Sequence, residues 1–225
     1  MRIMNLEKTY GEKTVLKIDE FTFVPNKIYA IIGTNGCGKS TFLKLMSKTL
    51  KSDSKKAVID CEGQRAAFMP QKNHAFRMSL EKNILIAADK EYKKDNFSQQ
   101  LMERMKIDTL KKQSASKLSG GETAKMALCR TLMTGADLLL LDEPTAAMDI
   151  ESTLLSEELI LDYKNKRPAT VIVVTHSVSQ ARRISDEVIF MKDGRIVEHG
   201  SASRVLNTPS HSETRDFLEF FSSEI

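Results

Sequence analysis

Residues Gly33 to Thr41 read G-T-N-G-C-G-K-S-T, directly after the apolar run Ile28-Tyr29-Ala30-Ile31-Ile32. The spacing of Gly33, Gly38, Lys39 and Ser40 fits the phosphate-binding loop pattern G-x-x-x-x-G-K-[ST]. Glycines permit positive φ and let the backbone come close to phosphate oxygens. Successive N–H groups along Asn35, Gly36, Cys37 and Gly38 to Thr41 then point into one concavity, and the following helix adds its positive end. Lys39 supplies a mobile cation for β- and γ-phosphates, and the Ser40 hydroxyl suits Mg²⁺.

Three further strand candidates end in polar residues. Ala66–Met69 runs into Pro70-Gln71, Leu138–Leu141 into Asp142-Glu143-Pro144, and Val171–Val174 into Thr175-His176. In open α/β sheets ligands sit beyond the carboxyl ends of strands, so four such endings predict one site. Neighbouring side chains on a strand face opposite ways. Asp142 and Glu143 therefore serve one site only if the strand stops there, as Pro144 indicates. Asp142 then suits Mg²⁺ in its outer shell, and Glu143 suits polarising an attacking water. His176 fits a γ-phosphate contact in this company.

The elements that must hold these residues are an α/β set. Residues 2–24 alternate in short pieces and predict a small antiparallel sheet, with turns near Tyr10-Gly11 and Pro25-Asn26. A helix is expected from the phosphate loop to about Leu50, then a polar linker over Lys51–Lys56 and strand-like pieces at Ala57–Ile59 and Ala66–Met69. Residues 79–133 read as helical, opened by Ser79 as a cap, with further helices at Phe97–Met105 and Gly121–Met133. The continuous apolar runs Leu138–Leu141 and Thr170–Val174 fit strands of a parallel sheet covered on both faces, separated by a helix over Glu151–Lys164. A hairpin about Asp193-Gly194 and two short helices finish the chain.

The 225 residues are 41% apolar, which supports a core, and the net charge of +4 is too mild to argue for nucleic acid. Lysines gather at Lys44–Lys56 and Lys90–Lys94 and read as solvated ends and loops. Three cysteines, Cys37, Cys61 and Cys129, lack metal or redox spacing and fit a reducing compartment. Cys37 reads first as a small loop residue; N–H dipoles and Lys39 are expected to favour its thiolate, which makes redox sensitivity the second reading. No apolar stretch approaches the roughly 20 residues of a bilayer span, and the first residues lack a signal-peptide core. A cytoplasmic chain is expected.

The ordered set of phosphate loop, Gln71, Leu118-Ser119-Gly120-Gly121-Glu122, L-L-L-L-D-E-P, Asp149 and His176 resembles the nucleotide-binding subunit of ATP-binding cassette (ABC) transporters over nearly the full length. The resemblance implies the ABC ATPase fold: a P-loop NTPase core with a mostly parallel sheet, an N-terminal antiparallel β subdomain, and a small α-helical subdomain at about 72–133, all in one domain over 1–225. It implies a Mg²⁺-dependent ATPase. Tyr10 resembles the aromatic that stacks on adenine. Gln71 resembles the glutamine that contacts Mg²⁺ and the attacking water, and Ser119, Gly120 and Gly121 resemble a signature that binds the γ-phosphate held by a second copy. Asp149 resembles the aspartate that crosses between copies. Thr123-Ala124-Lys125 and Ala146-Ala147-Met148-Asp149 depart from the usual family pattern, and the segment between Gln71 and Leu118 is short.

The implied partners are a second copy in a head-to-tail ATP sandwich, transmembrane permease subunits docking near Gln71–Leu85, and an extracytoplasmic solute-binding protein, with no nucleic acid. The implied place is the inner face of the cell membrane. A cassette on its own chain resembles bacterial importers of amino acids or oxyanions. An exporter or lipoprotein-extraction cassette is the alternative, and a soluble non-transport ATPase a further one. A DNA-maintenance type is opposed by the absence of sustained heptads in 42–117.

Overall fold

Alternate leucines of one strand face opposite cores, and this explains the longest apolar runs. In the computed structural model, which describes residues 1–61, 63–94 and 96–222, the strands are β1 (Arg2–Tyr10), β2 (Lys13–Thr22), β3 (Ile28–Gly33), β4 (Val58–Asp60), β5 (Ala66–Met69), β6 (Leu138–Asp142), β7 (Thr170–Val174), β8 (Glu187–Lys192) and β9 (Arg195–Ser201). The helices are α1 (Lys39–Met46), α2 (Leu80–Leu85), α3 (Lys90–Lys94), α4 (Phe97–Arg104), α5 (Gly120–Leu132), α6 (Ile150–Lys166), α7 (Val178–Ile184), α8 (Ala202–Asn207) and α9 (Ser212–Ser222). The last tail positions, 223–225, lie outside the described residues.

Six strands form one sheet in the order β5-β6-β7-β3-β8-β9, parallel except for the β8–β9 hairpin. Every residue of β3, β6 and β7 is buried. Leu139 and Leu141 pack with Val171, Val173 and the helices that lie between β5 and β6. Leu138 and Leu140 pack on the other face with Ile172, Val174 and Phe42 of α1. That two-sided burial demands continuous apolar sequence. A third cluster places Ala30, Ile32 and Phe190 against Val205 of α8 and Phe217 of α9.

The antiparallel expectation for the N-terminal segment holds, and the Ala57–Ile59 piece joins it. The second sheet runs β2-β1-β4. Its inner residues Ile3, Leu6 and Leu16 share the core beneath α1. The turns fall at Gly11 and Asn26, both at positive φ.

One boundary is corrected. The first helix stops at Met46 rather than near Leu50. Lys48 takes the left-handed conformation at φ 58° and donates its N–H to Leu45 O, while the Leu50 N–H returns to Lys44 O. These bonds satisfy the last carbonyls and turn the chain away. The predicted cap at Ser79 is present, its side chain accepting from the Lys82 N–H. Among the described residues no helix is long and apolar enough to cross a membrane.

Parallel register decides where the loops meet. Met69 lies opposite Leu141, Leu141 opposite Val173, and Val173 opposite Ala30. The four strands therefore end nearly level, and residues 33–38, 71, 143 and 176 all leave the same edge of the sheet.

Candidate nucleotide-binding site

The loop between β3 and α1 is shaped by tight packing beneath it. Gly38 has φ 103°, and a Cβ there would lie 2.6 Å from Val15 O. Gly33, at φ 147°, sits over Met191 O at 2.1 Å from where a Cβ would stand. Only glycine fits either position. Gly38 also stands at the N-cap of α1, where no side chain caps the helix. The first-turn N–H groups are thus left for an anion.

A cleft of about 430 Å³ opens here, lined by Val15, Asn35, Gly36, Gly38, Lys39, Ser40, Thr41, Gln71, Glu143 and His176. Lys39 Nζ folds back to donate to Gly33 O at 2.7 Å and Thr34 O at 2.9 Å. Burial pushes its ammonium below the ordinary lysine range, with the nearby Glu143 carboxylate opposing that shift. A lysine held by two neutral carbonyls and a weak contact to Cys37 Sγ at 3.8 Å gains by transfer to charged phosphate oxygens.

Of the two expectations for Cys37, the small loop residue holds and the favoured thiolate does not. Its side chain is buried, and burial pushes the thiol up; the nearby Lys39 offsets only part of this. Desolvation of a thiolate outweighs the cation at a sulfur–nitrogen distance of 3.8 Å. Cys37 is a small packed loop residue in its protonated form.

Ser40 Oγ donates to Asp142 Oδ1 at 3.0 Å. Asp142 is 1% exposed, and burial raises its carboxyl, opposed by the Ser40 hydrogen bond. Hydroxyl and carboxylate oxygens fit Mg²⁺, which takes few protein ligands and completes its shell with water and phosphate. Such a site needs no three-ligand cluster, and none of His, Cys, Asp and Glu exists among the described residues.

Beyond Asp142 the strand stops, as Pro144 indicated. Glu143 turns to φ 50° and donates its N–H to Val174 O at 3.0 Å. That turn brings its carboxylate back over the sheet edge. Oε1 lies 2.5 Å from His176 Nε2, and Oε2 accepts from Gln71 Nε2 at 2.8 Å. Three of the four predicted strand endings therefore meet through side chains, beside the loop supplied by the fourth.

Other predicted residues lie outside this cleft. Tyr10 is 54% exposed at the end of β1, with Lys8 Nζ 5.5 Å from its ring centroid. Ser119 caps α5 in a reciprocal box: its Oγ accepts from the Glu122 N–H, and its own N–H donates to Glu122 Oε2. The exposed Gly120 follows, and a Cβ on Gly121 would stand 3.0 Å from Ala147 O. Asp149 caps α6 by accepting the Ser152 N–H at 2.7 Å, which holds its carboxyl below the usual range.

Two contributors escaped the sequence reading. Val15 lines the cleft from β2. Gly194, in the β8–β9 turn, donates its N–H to Cys37 O at 3.0 Å and accepts from the Lys17 N–H at 2.8 Å. It fastens the phosphate loop to the antiparallel sheet. The turn was legible; its partner was not.

Comparison with known proteins agrees with this geometry. A family model described as ABC transporter matches residues 16–146. The tungstate uptake system ATP-binding protein TupC of Peptoclostridium acidaminophilum is 39% identical over 205 residues, covering 87% of this chain and 96% of that protein. The phosphate import ATP-binding protein PstB of Malacoplasma penetrans is 33% identical, covering 97% and 84%. Two solved structures share the fold: an ATP-binding subunit of an ABC transporter (TM-score 0.82, 19% identity, 98% of both chains), and a nucleotide-free ATP-binding cassette from an ABC transporter (TM-score 0.78, 21% identity, 96% and 97%). The chain therefore belongs to the ABC transporter family, as one of its ATP-binding, ATP-hydrolysing subunits.

Proposed function

We propose that this subunit hydrolyses Mg·ATP to drive import of a small oxyanion through separate permease subunits. One observation carries the hydrolytic part: Glu143 stands at a strand end between His176 and Gln71, beside an uncapped helix N-terminus and a movable lysine. The backbone from Asn35 to Thr41 and the Lys39 ammonium cradle the phosphates. Ser40, Asp142 and Gln71 would hold Mg²⁺, which supplies charge neutralisation across the phosphate oxygens. Glu143 polarises the attacking water, and His176 contacts the γ-phosphate. Tyr10 stacks on the base.

The site is finished by a second copy arranged head to tail. Ser119, Gly120 and Gly121 of each copy present a helix N-terminus to the nucleotide of the other, with Asp149 between the two sites. Residues 72–133 form a small helical lobe within the single cassette, and the segment 71–85 receives the permease. The subunit sits on the inner face of the cell membrane, and an extracytoplasmic solute-binding protein delivers the cargo. Support for an oxyanion comes from the tungstate and phosphate systems named above, whose subunits align over most of this chain.

The test has two parts. Lys39→Ala should weaken ATP binding by about tenfold or more, measured by calorimetry, as expected for a charge-assisted contact. Wild-type affinity in that variant sinks the site. Purification of the subunit with its membrane partners, followed by binding of tungstate, molybdate, phosphate and amino acids to the assembly's solute-binding protein, decides the cargo class.

A further inference from the structure

Glu143 and His176 come from two loops, 143–149 after β6 and 175–177 before α7, and a buried polar chain joins those loops behind the cleft. Gln180, 1% exposed on α7, donates through Nε2 to Thr145 Oγ1 at 3.1 Å and to Glu157 Oε1 at 3.1 Å. Arg183, one turn along the same helix, forks onto that carboxylate, Nε to Oε2 at 2.7 Å and Nη2 to Oε1 at 2.8 Å. Glu157 is 3% exposed on α6. Thr145 follows Glu143 by two residues and Gln180 follows His176 by four, so the link is short on both sides.

The amide has one orientation. Turned over, Gln180 Oε1 would face the Glu157 carboxylate, a repulsion between two acceptors. Nε2 therefore stays between Thr145 and Glu157, although Oε1 has no hydrogen-bond partner among the described residues. Hydrocarbon of the same shape packs such a place with less desolvation. What the polar groups add is direction.

We propose that Gln180 is a positioning residue for ATP hydrolysis. Through Thr145 it fixes the loop of Glu143 relative to the helix of His176, and Glu157 with Arg183 holds its amide in place. The assignment rests on the reading of Glu143 and His176 as the hydrolytic pair.

The test uses the full chain with Gln180→Met, Thr145→Val and the double variant. ATP affinity is measured by calorimetry and kcat by phosphate release at saturating Mg·ATP. Each single variant should lose about tenfold or more in kcat, because small misplacements of reacting groups are costly, while Kd stays within about twofold since no phosphate contact is touched. The double variant should be no worse than the worse single, since both break one link. In Gln180→Glu a carboxylate faces Glu157, and kcat should recover relative to wild type as pH falls and the donor is restored. Unchanged kcat in Thr145→Val, losses that multiply in the double variant, or a Gln180→Glu profile parallel to wild type overturn the proposal. If Gln180→Met does not fold, Thr145→Val and Gln180→Glu decide it. A wild-type chain that binds ATP yet releases no phosphate removes the hydrolytic reading itself; an active wild type with unaffected variants removes only the link.

Discussion

Glu143 Oε1 and His176 Nε2 lie 2.5 Å apart, although they follow different strands and Glu143 must adopt φ 50° to make the contact. β6 and β7 are parallel neighbours with Asp142 opposite Val174, which sets the two loops side by side. The Glu143 N–H bonded to Val174 O fixes the turn. Strain at a left-handed glutamate is held by its neighbours, which aim the carboxylate at His176 and Gln71.

Glu143→Gln keeps the shape of this contact and removes the proposed base. ATP affinity should remain near wild type, while turnover falls by about 10²-fold or more, the usual share of general base catalysis. An ATP-dependent dimer should then appear in gel filtration. Hydrolysis at the wild-type rate would take Glu143 out of the base role.

Asp142→Asn separates stability from function. Burial raises the folded-state pKa of Asp142 above its unfolded value. The folded state thus binds more protons than the unfolded one between those values, and stability falls as pH rises through that window. At neutral pH the charged carboxylate is a burden on the nucleotide-free protein. Asp142→Asn should therefore melt higher at pH 7, by about 2–4 °C for each kcal/mol recovered at this chain length, with the difference shrinking toward acid pH. Its Mg²⁺-dependent ATP binding should weaken. Equal melting at pH 7 in calorimetric scans would refute the burial argument.

Tyr10→Ala tests adenine stacking without disturbing the core, since the ring is half exposed. A lost aromatic contact of about 0.5–1.5 kcal/mol predicts ATP affinity weaker by about 2- to 12-fold. GTP and ATP should lose alike. No change in either titration removes the role.

Gly194→Ala should loosen the phosphate loop from a distance. An added Cβ meets Val15 O at 2.7 Å at a residue with φ 76°. Gly11→Ala is the comparison, for its φ of 59° is as strained but nothing lies within 4 Å. The Gly11 variant should cost about 1 kcal/mol of stability, the Gly194 variant more, and only Gly194→Ala should lower ATP affinity. Urea unfolding and calorimetry on both proteins check this.

Legibility in the sequence followed the range of the interactions. The phosphate loop, the cap at Ser79 and the stop at Pro144 depend on a few consecutive residues, so residue type and spacing reveal them. The buried strands were readable because two-faced burial leaves unbroken apolar runs such as Leu138–Leu141. The end of α1 was misjudged because Lys48 adopts a left-handed conformation that no glycine announces. The state of Cys37 was misjudged because desolvation comes from the whole surrounding core, whereas the cation that argued for a thiolate was two residues away. Val15, the Gly194 clamp and the Gln180–Glu157 contact are meetings of distant segments, and no local pattern encodes them.

The leucines of β6 are gripped from above and below, Leu139 and Leu141 by one core and Leu138 and Leu140 by the other. A strand mounted in this way behaves as an anvil: sliding it by one position would exchange every side chain between the two cores. Any displacement within the cassette is then expected in parts hung around the strand, such as the exposed turn at Gln71, and not in the strand that carries Asp142.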